Sequence, residues 1–306
     1  MPKVSIILPS YNHEIFLQDR LNTIINQTFK DWELIIIDDQ STDGSTNILS
    51  HFVNQNESKV KYFIVNEVNS GSGYFSWEKG IALADSEYIW IAETDDYSEV
   101  NFLEEQITIL EQNKNCALVF CASNYVDANK QFLLNTDRRT KDLGVKEGEY
   151  KIFNESIFTD KMPFNTFITN GSSVVFRRPL LKIPHEIFIH RQCSDIFLWT
   201  FLIQNSHFAF LNKKLNYFRR HEESTTTKIS TSKQLIGTYK ELSFYLKYYK
   251  RQDLNENFIK NYFNNYISRN KIEIFNFKVF EGNVSLKKMY LKRLIPLLIK
   301  KIFNGK

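Results

Sequence analysis

The chain has 306 residues, 42% hydrophobic and 24% charged, with only 10 glycines. That composition suits one large globular domain, or a domain with an appendage, and excludes low-complexity and collagen-like classes. The longest unbroken apolar run, Cys116–Ala122, is seven residues, whereas a bilayer-spanning helix needs roughly 20. The start, MPKVSIILPSYN, has one Lys and a short apolar stretch, too little for a signal peptide. Cys116, Cys121 and Cys193 are odd in number and lack CxxC spacing, so neither a disulfide framework nor a thiolate zinc site is expected, and the expected compartment is a reducing cytoplasm. The net charge of +4 hides a division: residues 229–306 carry 16 basic and 5 acidic side chains, residues 1–228 carry 23 and 30. A basic tail on an acidic body reads either as a solvated helical face or as attraction to an anionic surface.

The first 125 residues alternate strand and helix signals. Strands are expected at Val4–Leu8, Leu34–Ile37, Val60–Val65, Tyr88–Ala92 and Ala117–Phe120. Helices are expected at Glu14–Gln27, Thr42–Val53, Tyr74–Ala84 and Val100–Gln112. Strands alternating with ten- to fifteen-residue helices imply βαβ units and a mostly parallel sheet. Residues 123–170 are less regular, and the charged stretch Thr136–Lys146 reads as a mobile loop. Further strands are expected at Ser172–Phe176, His207–Leu211 and Leu215–Arg219, a helix at Cys193–Ile203, and helix almost throughout from Lys233.

In open parallel α/β sheets, ligands bind at the carboxyl ends of the strands. Strand one is followed by Pro9-Ser10-Tyr11-Asn12, strand two by Asp38-Asp39-Gln40-Ser41-Thr42-Asp43, strand four by Glu93-Thr94-Asp95-Asp96. Six acids thereby gather at one sheet edge. Crowded carboxylates repel one another, and a divalent cation with a taste for hard oxygen, Mg²⁺ or Mn²⁺, relieves this. Asp43 reads equally well as a helix cap.

VSIILPSYN, LIIIDDQSTDGS and EYIWIAETDD, in that order, resemble the family 2 glycosyltransferases of GT-A fold, over roughly residues 3–225. The resemblance implies an α/β fold, Rossmann-like, with a C-terminal α-helical extension. Residues 1–228 would form the transferase domain, with a nucleotide-sugar half (1–122) and an acceptor half (123–228), and residues 229–306 a basic helical region. It implies that Pro9 and Tyr11 line the nucleotide base, that Asp39 hydrogen-bonds it, and that Glu93, Asp95 and Asp96 contact ribose and hold the cation. Where the family often carries Arg-Asn-x-Gly, this chain has Trp77-Glu78-Lys79-Gly80, so Lys79 is the expected substitute cation. Asn170–Arg178 resembles the family's glycine loop, with Gly171 allowing close approach of backbone to sugar. Asp195 matches the general base, although Ser194 replaces the acid that often precedes it. Phe218-Arg219-Arg220-His221 resembles the C-terminal R-x-H element, His221 serving as a cation ligand or a diphosphate contact.

The reaction so implied is inverting displacement at an anomeric carbon, from a nucleotide-diphosphate sugar to a saccharide or lipid-linked acceptor in cell-surface polysaccharide synthesis. Asp39 favours a UDP-sugar, with dTDP presenting the same imide edge. Two rivals are a non-enzymatic phospho- or nucleotide-binding module and a sugar-phosphate nucleotidyltransferase. The first leaves the Arg219–His221 element unexplained, and the second expects a Gly-rich basic loop after strand one. The tail Ser285–Lys306 has seven basic residues and no acid. Leu286, Met289, Tyr290, Leu294, Leu297, Leu298 and Ile302 fall near one helical face, with Pro296 as a kink. That pattern suits peripheral binding to the inner face of an anionic cytoplasmic membrane, or else packing against the helices of 233–280 or in a homodimer. The aromatic pattern does not suit nucleic acid.

Overall fold

Residues 4–10 and 32–38 are buried at every position. Strands covered on both faces read as continuous apolar runs rather than as alternation. These two, β1 (Val4–Ser10) and β2 (Trp32–Asp38), pair in parallel with Val4 opposite Trp32 and Ser10 opposite Asp38. The computed structural model describes residues 1–221, 232–266 and 277–303. The chain divides into two units, Met1–Glu222 and Glu223–Lys306.

In the first unit, α1 (Glu14–Ile25), α2 (Ser45–Gln55), α3 (Gly73–Leu83) and α4 (Phe102–Gln112) alternate with β1, β2, β3 (Val60–Val65), β4 (Tyr88–Ile91) and the short β5 (Tyr97–Ser98). There follow β6 (Cys116–Asp127), β7 (Phe132–Asn135), the single turn α5 (Asp137–Thr140), β8 (Tyr150–Asn154), α6 (Glu155–Lys161), β9 (Val174–Arg177), α7 (Ser194–Ile203) and β10 (His207–Arg220). All ten strands form one sheet, ordered β3-β2-β1-β4-β9-β6-β10-β5, with β7 on β6 and β8 on β10. It is parallel on its β3-β2-β1-β4 side, whereas β9 runs antiparallel to both β4 and β6. The apolar core lies between this sheet and its helices, around Leu8, Leu21, Leu34, Trp90, Phe102 and Val119. Since β2 and β4 flank β1 on opposite sides, the chain reverses its direction of travel across the sheet at β1, and a crevice opens at the carboxyl ends there.

Three expectations need correction. β6 does not stop at Phe120: the small and polar Ala122, Ser123 and Asn124 stay in the strand because β10 pairs with them along its length. The two strands expected at 207–211 and 215–219 are one strand, bulged between Leu211 and Asn216. Asn212 is the residue that makes the segment look like a turn, and it stays bonded through Nδ2 to the Val145 carbonyl at 2.8 Å. Thr136–Lys146, expected as a mobile loop, contains regular structure and buried anchors. It holds α5 and a 3₁₀ turn, with Leu143 buried and the Thr136 hydroxyl accepting from the Ser123 amide at 3.0 Å. The three cysteines are free and buried.

The second unit contains α8 (Ser232–Tyr248), α9 (Asn255–Tyr266) and α10 (Val284–Phe303). The amphipathic pattern of the tail is present, but Leu286, Tyr290 and Leu294 are buried within this unit. The Tyr290 ring packs on Phe263 and Phe280, with centroids 5.2 and 4.5 Å apart. That part of the apolar face is therefore not available to a bilayer. The side chains of Leu297, Leu298, Lys300, Lys301 and Ile302 lie outside the described residues. Among the described residues, no helix is long and apolar enough to cross a membrane.

Candidate active site

The segments leaving β1, β2 and β4 are laced together at the crevice. Asn12 adopts left-handed backbone (φ 51°), a conformation Asn tolerates better than most residues. Its Oδ1 accepts from the Thr42 amide at 2.7 Å, and its own amide donates to Ser41 Oγ at 3.0 Å. The buried Thr94 hydroxyl donates to the Pro9 carbonyl at 3.1 Å. Two of the six acids are tied up in holding these loops. Asp38 accepts from the Ser41 amide and hydroxyl and from Thr46, while Asp43 accepts from the amides of Ser45 and Glu14.

The other four stand in four different settings. Asp95 Oδ2 lies 3.1 Å from His221 Nε2. With His13 these two side chains form a group whose ligand atoms all lie within 4.8 Å of one another. Asp96 is not part of it. Its carboxylate turns inward, accepting from the Arg219 amide at 2.9 Å and from Asn170 Nδ2 at 2.5 Å. Glu93 accepts from the Trp77 indole Nε1 at 2.5 Å. Asp39 stands apart on the β3 side, accepting from Asn66, Asn69 and both the amide and hydroxyl of Ser70. Lys79 reaches the Asp39 setting rather than Glu93, donating to Asn66 Oδ1 at 2.7 Å.

Burial sets the charge states here. It would raise Asp95, but the His221 hydrogen bond and the nearby His13 outweigh it and hold this carboxyl low. Burial and then the charge of Asp95 push Asp96 up to about 7 and Glu93 up to about 8. Burial, partly offset by the charge of Asp95, lowers His13 from the usual imidazole range. Arg20 is buried on α1, donating to the Glu93 carbonyl at 2.7 Å and to Ser172 Oγ at 3.2 Å. Its charge bears on Asp96, Asp95 and Glu93 together. One ionised carboxylate and two imidazoles make a donor set that fits a divalent cation, with nitrogen ligands suiting Mn²⁺ at least as well as Mg²⁺.

Gly171 has a packing reason to be glycine. It is buried, and a Cβ there would lie 2.5 Å from the Trp77 ring. Trp77 in turn touches Trp199 of α7, with centroids 5.9 Å apart. Asp195 lies in the first turn of α7, four residues before Trp199 and so on the same helical face. Pro9 is buried at the end of β1, whereas Tyr11 is 45% exposed and presents its ring to solvent. The motif pattern did not single out His13, Thr94 or Arg20, and it read Trp77 only as a missing cation. His13 directly follows Pro9-Ser10-Tyr11-Asn12, so an imidazole beside an acidic edge was a readable signal. Arg20 gives none, since on paper it is one more polar residue of an amphipathic helix.

The profile of glycosyl transferase family 2 matches residues 5–183. A UDP-Glc:α-D-GlcNAc-diphosphoundecaprenol β-1,3-glucosyltransferase of Escherichia coli is 26% identical over 220 residues, covering 68% of this chain and 73% of that protein. A GalNAc(5)-diNAcBac-PP-undecaprenol β-1,3-glucosyltransferase of Campylobacter jejuni is 24% identical over 241 residues, covering 78% and 71%. Among solved structures, S. aureus TarS 1–349 in complex with UDP-GlcNAc superposes with a TM-score of 0.62 at 19% identity, over 87% of this chain and 74% of that one. The doubly wound sheet is thus shared with that GT-A-like structure, and the family profile spans all three strand-end segments of the crevice. The chain belongs to glycosyl transferase family 2 and is a glycosyltransferase.

Proposed function

We propose that the chain transfers a hexose or hexosamine, with inversion, from a UDP-sugar to a saccharide on a lipid diphosphate, in a cation-dependent reaction of cell-surface polysaccharide assembly. The observation that carries this reading is the group of Asp95, His221 and His13 at the carboxyl end of the sheet, next to Glu93, whose partner Trp77 packs on Trp199 of the helix that bears Asp195. The two relatives named above are described by undecaprenol-diphosphate acceptors and β-1,3-glucosyl transfer, which supports the acceptor class.

In this reading Tyr11 stacks on the uracil, and Asp39 exchanges one of its present hydrogen bonds for the base imide. Glu93, steadied by Trp77, takes a ribose hydroxyl with its second oxygen. A bound Mn²⁺ or Mg²⁺, held by Asp95 and His221, supplies positive charge against the leaving diphosphate. Asp96 shapes the site from behind through Arg219 and Asn170. Asp195 accepts the proton of the acceptor hydroxyl as its oxygen attacks the anomeric carbon from the face opposite the diphosphate. The net +11 of residues 229–306 supports residence at the inner face of an anionic membrane.

The roles separate by kinetics. Asp95→Ala should abolish cation-dependent UDP binding in a thermal-shift assay, while Asp195→Asn should bind UDP normally and lose transfer by about 10²-fold or more. Near-normal turnover in Asp195→Asn contradicts the assignment of the base. Stabilisation by GDP or CMP but not by UDP or dTDP contradicts the donor.

A further inference from the structure

We infer that His13 is a direct ligand of the donor-site cation, so that the protein holds it with two imidazoles and one carboxylate, and that Thr94 is the residue that aims His13. The inference rests on the cation-dependent reading above and specifies the ligand set. Three observations carry it. The ligand atoms of His13, Asp95 and His221 already lie within 4.8 Å of one another, so one ion can meet all three with small adjustments.

The second observation fixes the tautomer. His13 Nδ1 lies 2.6 Å from Thr94 Oγ1, and that hydroxyl is 3.1 Å from the Pro9 carbonyl. A carbonyl can only accept, so the one hydroxyl proton of Thr94 points to Pro9, and Thr94 must accept from His13 Nδ1–H. The proton of the neutral ring is then on Nδ1, and Nε2 keeps its lone pair for a metal. Such an outer partner is what a metal-binding histidine ordinarily has. Thr94 is fully buried, and the His13 amide is held by Ser45 Oγ at 3.1 Å, so ring and partner are both anchored. Thirdly, Asp96 is excluded from the group by its bonds to Arg219 and Asn170, leaving a single carboxylate.

A set this rich in imidazole favours Mn²⁺ and Co²⁺ over Mg²⁺, whose preference is oxygen. The test uses full-length protein with UDP and MnCl₂. Electron spin-echo modulation of bound Mn²⁺ should show ¹⁴N coupling from two imidazoles in the wild type and from one in His13→Ala. Free-Mn²⁺ titration should show His13→Ala and Thr94→Val weakened by about 10-fold or more, and Thr94→Ser close to wild type. Mg²⁺ should compete poorly with Mn²⁺ in the wild type, and this advantage should shrink in His13→Ala. Should His13→Ala fail to fold, the wild-type spectrum and the Thr94 pair decide alone. Mn²⁺ bound with one ¹⁴N imidazole or none, or with unchanged affinity in Thr94→Val, overturns the His13 assignment while leaving cation dependence intact. Absence of any Mn²⁺ or Mg²⁺ binding with UDP overturns both.

Discussion

Glu93 sits where burial and the charge of Asp95 both oppose ionisation, and they push its carboxyl up to about 8. An unfolded Glu titrates near 4.3. Between those two values the folded protein holds a proton that the unfolded chain has lost. Glu93 therefore contributes most to stability at acid pH, and that contribution is lost as pH rises through about 8. Glu93→Gln cannot ionise. In EDTA, its melting temperature should gain on the wild type steadily from about pH 5 to about pH 9, and a gap that stays constant across that range contradicts the assigned environment. At this scale the sequence was informative about acids and silent about their partners. Asp95 and His221 lie 126 positions apart, yet both stood out because their residue types in a strand-end setting imply a ligand. Trp77 read as the loss of a cation, but it supplies Glu93 with a hydrogen-bond donor instead. Only the packed structure shows that Lys79 points toward Asn66 and Asp39, since spacing along a helix does not distinguish two adjacent loops.

The elements that position the site were legible where periodicity alone decides. Val60–Val65 follows from its β-branched and aromatic content, and the cores of β1, β2 and β4 follow from short apolar runs. The misread elements are those held by tertiary partners. β6 past Phe120 and the middle of β10 look like turns until one strand is laid beside the other. The registration of α7, and with it Asp195, depends on a contact chain that no local pattern reports: Gly171 leaves room for Trp77, which meets Trp199. Gly171→Ala should force the indole aside, destabilising the protein by about 1–3 kcal/mol and raising the KM for the donor as Glu93 loses its indole partner. Pairing it with Trp77→Phe removes the crowded ring atoms. The double variant should recover melting temperature but not donor affinity. Recovery of both indicates that Trp77 only fills space.

For the whole molecule, the division of charge survives in the fold as two units, an acidic one that carries the site and a basic one whose amphipathic helix packs inward. Lys287, Lys288, Lys292 and Arg293 remain exposed on α10. Their attraction to an anionic surface is electrostatic, on the order of 1 kcal/mol per residue. Full-length protein should float with anionic liposomes at low salt, but not with neutral ones, nor in high salt. A variant with these four changed to Glu should remain in the soluble fraction while keeping its melting temperature. Flotation that persists in high salt contradicts a purely electrostatic attachment and points to apolar insertion elsewhere.

The central claim is direct displacement at the anomeric carbon with Asp195 as base. It is tested most directly by the configuration of the sugar first released when the enzyme turns over a UDP-α-hexose with Mn²⁺. Proton NMR recorded before mutarotation should show the β anomer appearing first and the α anomer only later, at the spontaneous rate, with release suppressed in Asp195→Asn. The α anomer appearing first contradicts inversion, and with it the role given to Asp195.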